Sequence, residues 1–150
     1  MNTKRIGNIG EIKVISYFVE HNIPVYLPFG DNERCDLIAE FNNKLNKIQV
    51  KTATGNEAST IYGLYSATSS PNNKEGNKYK QTYYSEDEID YFALYNIKYN
   101  AIYLIDINTI RNRHTITIRH NVPKNKVNTI IYDKDVLIDV ILSKFNNNSN

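Results

Sequence analysis

The sequence predicts an α/β domain with a mixed central sheet flanked by helices, on three observations. An amphipathic helical pattern opens the chain. Three short strand-like runs separated by turn signals follow it, and a continuous apolar run from residue 101 reads as a buried strand. A chain of 150 residues and 17.4 kDa can bury one sizeable core, so a single domain spanning 1–150 is expected.

Between Asn8 and His21 the residues Ile9, Ile12, Ile15, Phe18 and Val19 recur at helical spacing, and Asn22 with Pro24 supplies a stop. IPVYLPF (Ile23–Phe29), RCDLIAEF (Arg34–Phe41) and KLNKIQVKTA (Lys44–Ala53) read as strands joined by the turn-forming clusters GDNE and NN, which suggests an antiparallel meander. After Gly55, TIYGLYSA reads as another strand. SSPNNKEGNKYK (Ser69–Lys80) is polar, charged and punctuated by Pro71 and Gly76, as in a long exposed loop or hairpin tip. In SEDEIDYFALY, Ser85, the acids after it and Glu88 form a capping-box pattern, so a second helix is expected to run to about Asn96. AIYLIDI (Ala101–Ile107) is suited to a buried strand, and TITIR (Thr115–Arg119) alternates like a half-exposed one. The final DKDVLIDVILSKF carries Val136, Leu137, Val140 and Ile141 at helical spacing before the tail NNNSN.

Composition narrows the function. No apolar run approaches 20 residues, which excludes a membrane-spanning helix, and the N-terminus lacks the apolar segment of a secretory signal. The single cysteine, Cys35, makes neither an internal disulfide nor a thiolate metal cluster, so an intracellular, cytoplasmic location is expected. His21, His114 and His120 lack metal-ligand spacing with it, which argues against zinc. A net charge of +2 is only mildly basic, so nucleic-acid binding requires local clustering of charge.

Within KLNKIQVKTA, Ile48 and Val50 alternate with Gln49 and Lys51, so one face is apolar and the other carries an amide and an ammonium. By pattern alone this is the wet face of a half-exposed strand. Two upstream carboxylates favour a different explanation. Glu11 precedes Val14, Ile15 and Phe18 by three, four and seven residues and borders the inward helix face. Asp36 lies in a strand-like run where aspartate is disfavoured, and antiparallel pairing would set it opposite Gln49 and Lys51. Phosphodiester hydrolysis requires a divalent cation to polarise the phosphoryl oxygen and activate water, and carboxylates suit Mg²⁺. Asp36 is the leading candidate ligand, and Lys51 would orient the water and balance developing charge. Singly, Glu11 reads as a surface carboxylate and Asp36 as an edge residue paired with Arg34; their combination carries the expectation.

At these residues the chain resembles the PD-(D/E)XK nuclease superfamily, whose minimal pattern is an acid on the second core strand and (D/E)-x-K on the third, often with a glutamate from the first helix. The corresponding residues are Asp36, Gln49-Val50-Lys51 and Glu11. The order helix, three strands, helix, strand agrees with that family's core, over roughly Gly7 to Ile107. GNIGE, DLIAEF, IQVKTA and EIDYFALY together look like the Holliday-junction-resolvase-like branch, and most like the small group I intron-encoded homing endonucleases of cyanobacterial type. The resemblance implies Mg²⁺, with Mn²⁺ able to substitute, held by Glu11, Asp36, Gln49 and the Val50 carbonyl, with Glu11, Asp36, Gln49 and Lys51 as the catalytic set. Gln49 departs from the pattern: an amide keeps an acceptor oxygen and loses a charge.

Basic clustering gives a second line. Lys74, Lys78 and Lys80 ride with Gln81 on the long loop, mixing charges suited to phosphates with amides suited to adenine edges. Arg111, Arg113 and Arg119 begin a second tract that continues through Lys124 and Lys126. The expected function is metal-dependent, site-specific double-strand cleavage of DNA at a long pseudo-palindromic target. The rivals are a Holliday-junction resolvase or other structure-selective nuclease and, in a different class, a catalytically degenerate DNA-binding module. Cutting two strands with one site per chain predicts self-association, a homodimer at minimum, with a homotetramer also compatible, and no membrane partner.

Overall fold

The computed structural model describes residues 2–30, 32–55, 61–69, 74–75, 78–79, 82–110, 112–122 and 130–147. Helix α1 (Thr3–Glu20) starts five residues earlier than its apolar pattern, because the Asn2 side chain accepts the Lys4 N–H at 3.0 Å and caps it. The sequence GNIG therefore lies inside the helix rather than at its entry. Past the helix the chain reverses at Asn22, with φ 55°, and β1 (Val25–Tyr26) is short, since Pro24 and Pro28 flank it and neither has an N–H to offer a ladder. β2 (Leu37–Phe41) and β3 (Lys44–Ala53) form a hairpin through Asn42 and Asn43, both left-handed at φ 54° and 55°, as a two-residue turn of this hand requires. β1 pairs antiparallel with β2 and β2 with β3, giving the expected meander.

β4 (Ile61–Ser66) leads to β5 (Thr68–Ser69), β6 (Lys74–Glu75), β7 (Lys78–Tyr79) and β8 (Thr82–Tyr83). β6 pairs antiparallel with β7, and β5 with β8, so the described backbone of this insertion is that of a hairpin.

The expected second helix is replaced by β9 (Tyr91–Asn96). The capping pair does form: Ser85 N–H donates to Glu88 Oε2 at 3.0 Å and Glu88 N–H to the Ser85 carbonyl at 3.1 Å. It closes one turn only. Asp90 then joins the sheet, its Oδ2 accepting the Lys47 N–H at 2.8 Å and its own N–H donating to the Lys47 carbonyl at 2.8 Å. Phe92 to Asn96 are buried without interruption, the condition of a strand covered on both faces, and β9 runs parallel to β3 from Ile48↔Tyr91 to Ala53↔Asn96. Tertiary burial outweighs the local helix signal.

β10 (Ala101–Asp106) returns antiparallel to β9 and ends in a 3₁₀ turn (Ile107–Ile110). β11 (Thr115–Arg119) pairs antiparallel with β4 and parallel with β12 (Ile131–Tyr132). The single C-terminal helix expected from the sequence is two, α2 (Asp133–Val136) and α3 (Ile138–Asn147). The break falls at Leu137, whose extended backbone (φ −54°, ψ 134°) forms an isolated bridge to Tyr103 of β10.

The five-stranded sheet has the order β1-β2-β3-β9-β10, and the smaller one β12-β11-β4. Val14 and Phe18 of α1 and Ile138 and Leu142 of α3 bury Ile48, Val50, Leu104 and Leu37 on one face. Tyr65, Ile116 and Ile118 of the smaller sheet bury Phe92, Leu94, Tyr103 and Ile105 on the other. Gln49 and Lys51, alternating with Ile48 and Val50, point away from the helices, yet Gln49 is only 9% exposed. Their face is therefore covered rather than wet. No helix among the described residues is long and apolar enough to cross a membrane.

Candidate active site

The hairpin register brings Asp36 to Gln49 and Val50. Leu37 pairs with Ile48, and one residue earlier the Asp36 N–H donates to the Ile48 carbonyl at 2.9 Å, continuing the ladder past the end of β2. The Asp36 side chain folds back onto β3, where Oδ2 accepts the Val50 N–H at 2.7 Å and Gln49 Nε2 at 2.5 Å. The Gln49 amide nitrogen also donates to the Val50 carbonyl at 3.3 Å. Burial raises the Asp36 carboxyl above its ordinary value; the Val50 N–H, the Lys51 charge and the Gln49 amide oppose that rise.

Glu11 arrives from α1 because that helix lies unusually close to β3. A Cβ at Gly10 would stand 2.0 Å from Thr52 Oγ1, so only glycine permits the approach at the position next to Glu11. The Glu11 carboxyl is raised by burial first and by the Asp36 charge second. The two carboxylates the sequence singled out thus share one electrostatic environment.

Lys51 is half-buried and its ammonium is lowered by burial, which the Asp36 charge opposes and Arg34 reinforces. Its Nζ donates to the Tyr84 hydroxyl at 3.4 Å and to the Thr68 carbonyl at 3.5 Å. Arg34 is not the partner of Asp36. Its Nε donates to Glu88 at 3.0 Å, its Nη2 to the Tyr83 carbonyl at 3.0 Å and its Nη1 to the Ser69 hydroxyl. Its guanidinium carbon stands 4.1 Å from the Tyr84 ring centroid. Sequence spacing does not single out this side of the site, because neither Arg34 nor Tyr84 breaks a local pattern.

The structure therefore brings Asp36, Gln49 and Lys51 together, with the Val50 backbone among them, and sets Glu11 near enough for the Asp36 charge to act on it. Lys74 and Lys78 lie on β6 and β7, opposite Tyr79 and Glu75 respectively. Lys80, Gln81 and Arg111 lie outside the described residues, as do Lys124 and Lys126. Arg113 follows the 3₁₀ turn and Arg119 ends β11, both on the side of the smaller sheet.

Among the described residues no three or more His, Cys, Asp or Glu side chains group to hold a metal. The donor set at Asp36 is instead two carboxylates with neutral oxygens. It fits a hard divalent cation through Asp36, Glu11 and the Val50 carbonyl, which all offer oxygen, whereas Gln49 turns its amide nitrogen toward Asp36 and the Val50 carbonyl. The Gln49 amide nitrogen, donating to both Asp36 and the Val50 carbonyl, marks where oxygen lone pairs converge. A cleft lined by Tyr17, His21, Glu40, Phe41, Asp139 and Phe145 opens on the helix side of the sheet, and none of the four residues lines it. There the Tyr17 hydroxyl donates to Asp139 at 2.7 Å and ties α1 to α3.

The solved structure of a bacterial homing endonuclease, I-Ssp6803I, superposes on this chain with a TM-score of 0.76, covering 100% of this chain and 99% of the other at 18% identity. At that identity the likeness shows a shared fold. No curated protein matches the chain. The family model for PD-(D/E)XK endonucleases matches residues 1–135, taking in the helix, the hairpin and β9, and the chain belongs to the PD-(D/E)XK endonuclease family.

Proposed function

We propose that this chain is a metal-dependent, site-specific double-strand DNA endonuclease acting in the homing of a group I intron. The observation that carries the reading is the convergence on Asp36: an acid before β2 takes the Val50 N–H and the Gln49 amide, with Lys51 and Glu11 in electrostatic contact. Family membership makes DNA the substrate class. The likeness to a homing endonuclease supports the narrower reading.

Asp36 and Glu11 would hold Mg²⁺ or Mn²⁺ with the Val50 carbonyl, and Gln49 would join through its oxygen once its side-chain amide turns over from the arrangement in which its nitrogen faces Asp36. Bound there, the cation would supply charge stabilisation at the phosphoryl oxygen and a more acidic water. The chain's own contributions are more specific. The Val50 N–H and the Gln49 amide both engage the same oxygen of Asp36, Oδ2, and so fix the carboxylate. Lys51 presents an ammonium in a half-buried setting, where its charge acts more strongly than in bulk water on the negative charge that gathers as the water oxygen bonds to phosphorus and one P–O ester bond breaks. Lys74, Lys78, Lys80 and Gln81, from the stretch of sequence between β5 and β8, with Arg111, Arg113 and Arg119, would grip the duplex. One such site per chain and two strands of opposite polarity call for a homodimer at least.

The test is incubation of the purified protein with Mg²⁺ and a randomised duplex library, followed by sequencing of the cut ends, with a four-way junction in a parallel reaction. Double-strand cuts at one long site are expected. Preferential cleavage of the junction would mark a resolvase, and binding without cleavage a degenerate module.

A further inference from the structure

Lys51 leaves β3 beside Asp36, yet the groups that hold its ammonium come from another part of the chain. The Tyr84 hydroxyl and the Thr68 carbonyl accept from it, and its Nζ stands 5.2 Å from the Tyr84 ring centroid. The Tyr84 ring is itself held from two directions. Phe92 of β9 meets it edge-on, centroids 5.3 Å apart at 88°, and the Arg34 guanidinium packs on it. Arg34 is anchored in turn by Glu88 and the Tyr83 carbonyl. A lysine ammonium rides on a flexible four-carbon stem, so its placement needs external contacts. Unrestrained, it would be drawn to Asp36, the carboxylate whose charge acts on it, and occupy an oxygen a cation would use.

We infer that Tyr84 is a positioning residue for Lys51, taking up the ammonium with its hydroxyl and ring so that Lys51 stays beside Asp36 without closing onto it. This rests on the reading that Lys51 acts in the chemical step. Arg34 and Phe92 fix the ring, and through it the ammonium.

The test compares wild type, Tyr84→Phe, Tyr84→Leu and Lys51→Ala in single-turnover cleavage of a duplex recovered from the library, at saturating protein with Mg²⁺. Affinity for the same duplex without Mg²⁺ and the thermal midpoint are measured alongside. Tyr84→Leu keeps apolar contact with Phe92 and should cut about 10- to 100-fold more slowly, the scale of a misplaced catalytic group, with affinity and midpoint near wild type. Tyr84→Phe keeps the ring and should lose less. Carbon-13 NMR of the Lys51 ε-methylene in DNA-free protein gives a readout independent of activity. Its resonance should be displaced by the ring in wild type and Tyr84→Phe, and should move to an ordinary lysine position in Tyr84→Leu. A Tyr84→Leu enzyme cutting at the wild-type rate while Lys51→Ala is slow overturns the inference and leaves the role of Lys51 standing. An ordinary Lys51 resonance in wild type, or a Tyr84→Leu rate loss that only follows lost affinity and a lowered midpoint, also overturns it. If Lys51→Ala itself cuts normally, the role of Lys51 falls instead.

Discussion

Asp36 and Lys51 are close enough for their charges to interact, but one is positioned by backbone and the other by side chains. Asp36 takes its place from the β2–β3 ladder: its N–H meets the Ile48 carbonyl, and its carboxylate meets the Val50 N–H. Lys51 takes its place from Tyr84, 33 residues further along the chain, and from the Thr68 carbonyl on β5. Both supports lie at the base of the β5–β8 insertion, so the anionic half of the site belongs to the core sheet and the cationic half leans on the insertion. The difference predicts separable failures: changes in the hairpin remove chemistry, while changes further out on the insertion alter how DNA is held.

The largest effect is expected from Asp36→Asn. The substitution keeps an oxygen to accept the Val50 N–H and removes the negative charge, so fold and DNA affinity should persist while cleavage falls on the order of 10³-fold. Single-turnover rates beside binding isotherms measure the two separately. A parallel loss of affinity would show that Asp36 organises the DNA surface as well, and the contrast between the two halves would dissolve.

Next in size is the combined replacement of Lys74, Lys78 and Lys80 by glutamine. If these lysines contact phosphates, each loss lowers the slope of log affinity against log salt by about 0.9, and the saturated cleavage rate stays close to wild type. A rate loss at saturation with an unchanged salt slope would mean that the insertion acts on Lys51 rather than on DNA.

The same contrast explains what was legible in the sequence. NNKLNKIQVKTA names its turn, its strand and its face, because period-two alternation and the Asn-Asn turn are local properties and the β2–β3 pairing spans few residues. Asp36 and Lys51 were visible because a polar residue within an apolar alternation conflicts with its surroundings. The stretch from Ser85 to Asn96 misled for the converse reason. Its cap is real, but Asp90 bonds to Lys47 and the apolar residues after it are claimed by both faces of a sheet, a long-range fact with no local signature. Arg34 and Tyr84 were hidden likewise, since their ring contact joins residues 50 positions apart and neither breaks a local pattern. The early start of α1 needed only the Asn2 cap, which precedes the first apolar residue of the periodic pattern.

The smallest effect concerns Glu11 and tests whether the carboxylate from α1 belongs with the hairpin. Its carboxyl is raised above the ordinary 4.5, by burial first and then by the Asp36 charge. A group whose folded value is raised contributes stability that is present at low pH and is lost as pH climbs through that value, because the fold tolerates the ionised form less well than the unfolded chain does. In metal-free wild type the loss should therefore begin near pH 4.5 and be complete once Glu11 is ionised in the fold. Asp36 shifts in the same direction from 3.8 and remains in both proteins, so the difference between them reports Glu11 together with its coupling to Asp36. Glu11→Gln keeps the shape and cannot ionise. Its thermal midpoint in a chelator should fall less between about pH 4 and pH 7, and at pH 7 should exceed wild type by on the order of 1 °C, a small figure because solvent screens a half-exposed group. Adding Mg²⁺ should reverse the order, since a cation that binds the folded state stabilises it in proportion to affinity and the variant has one carboxylate fewer. Parallel pH profiles, with equal Mg²⁺ responses, would place Glu11 among ordinary surface carboxylates and leave the cation to the hairpin alone.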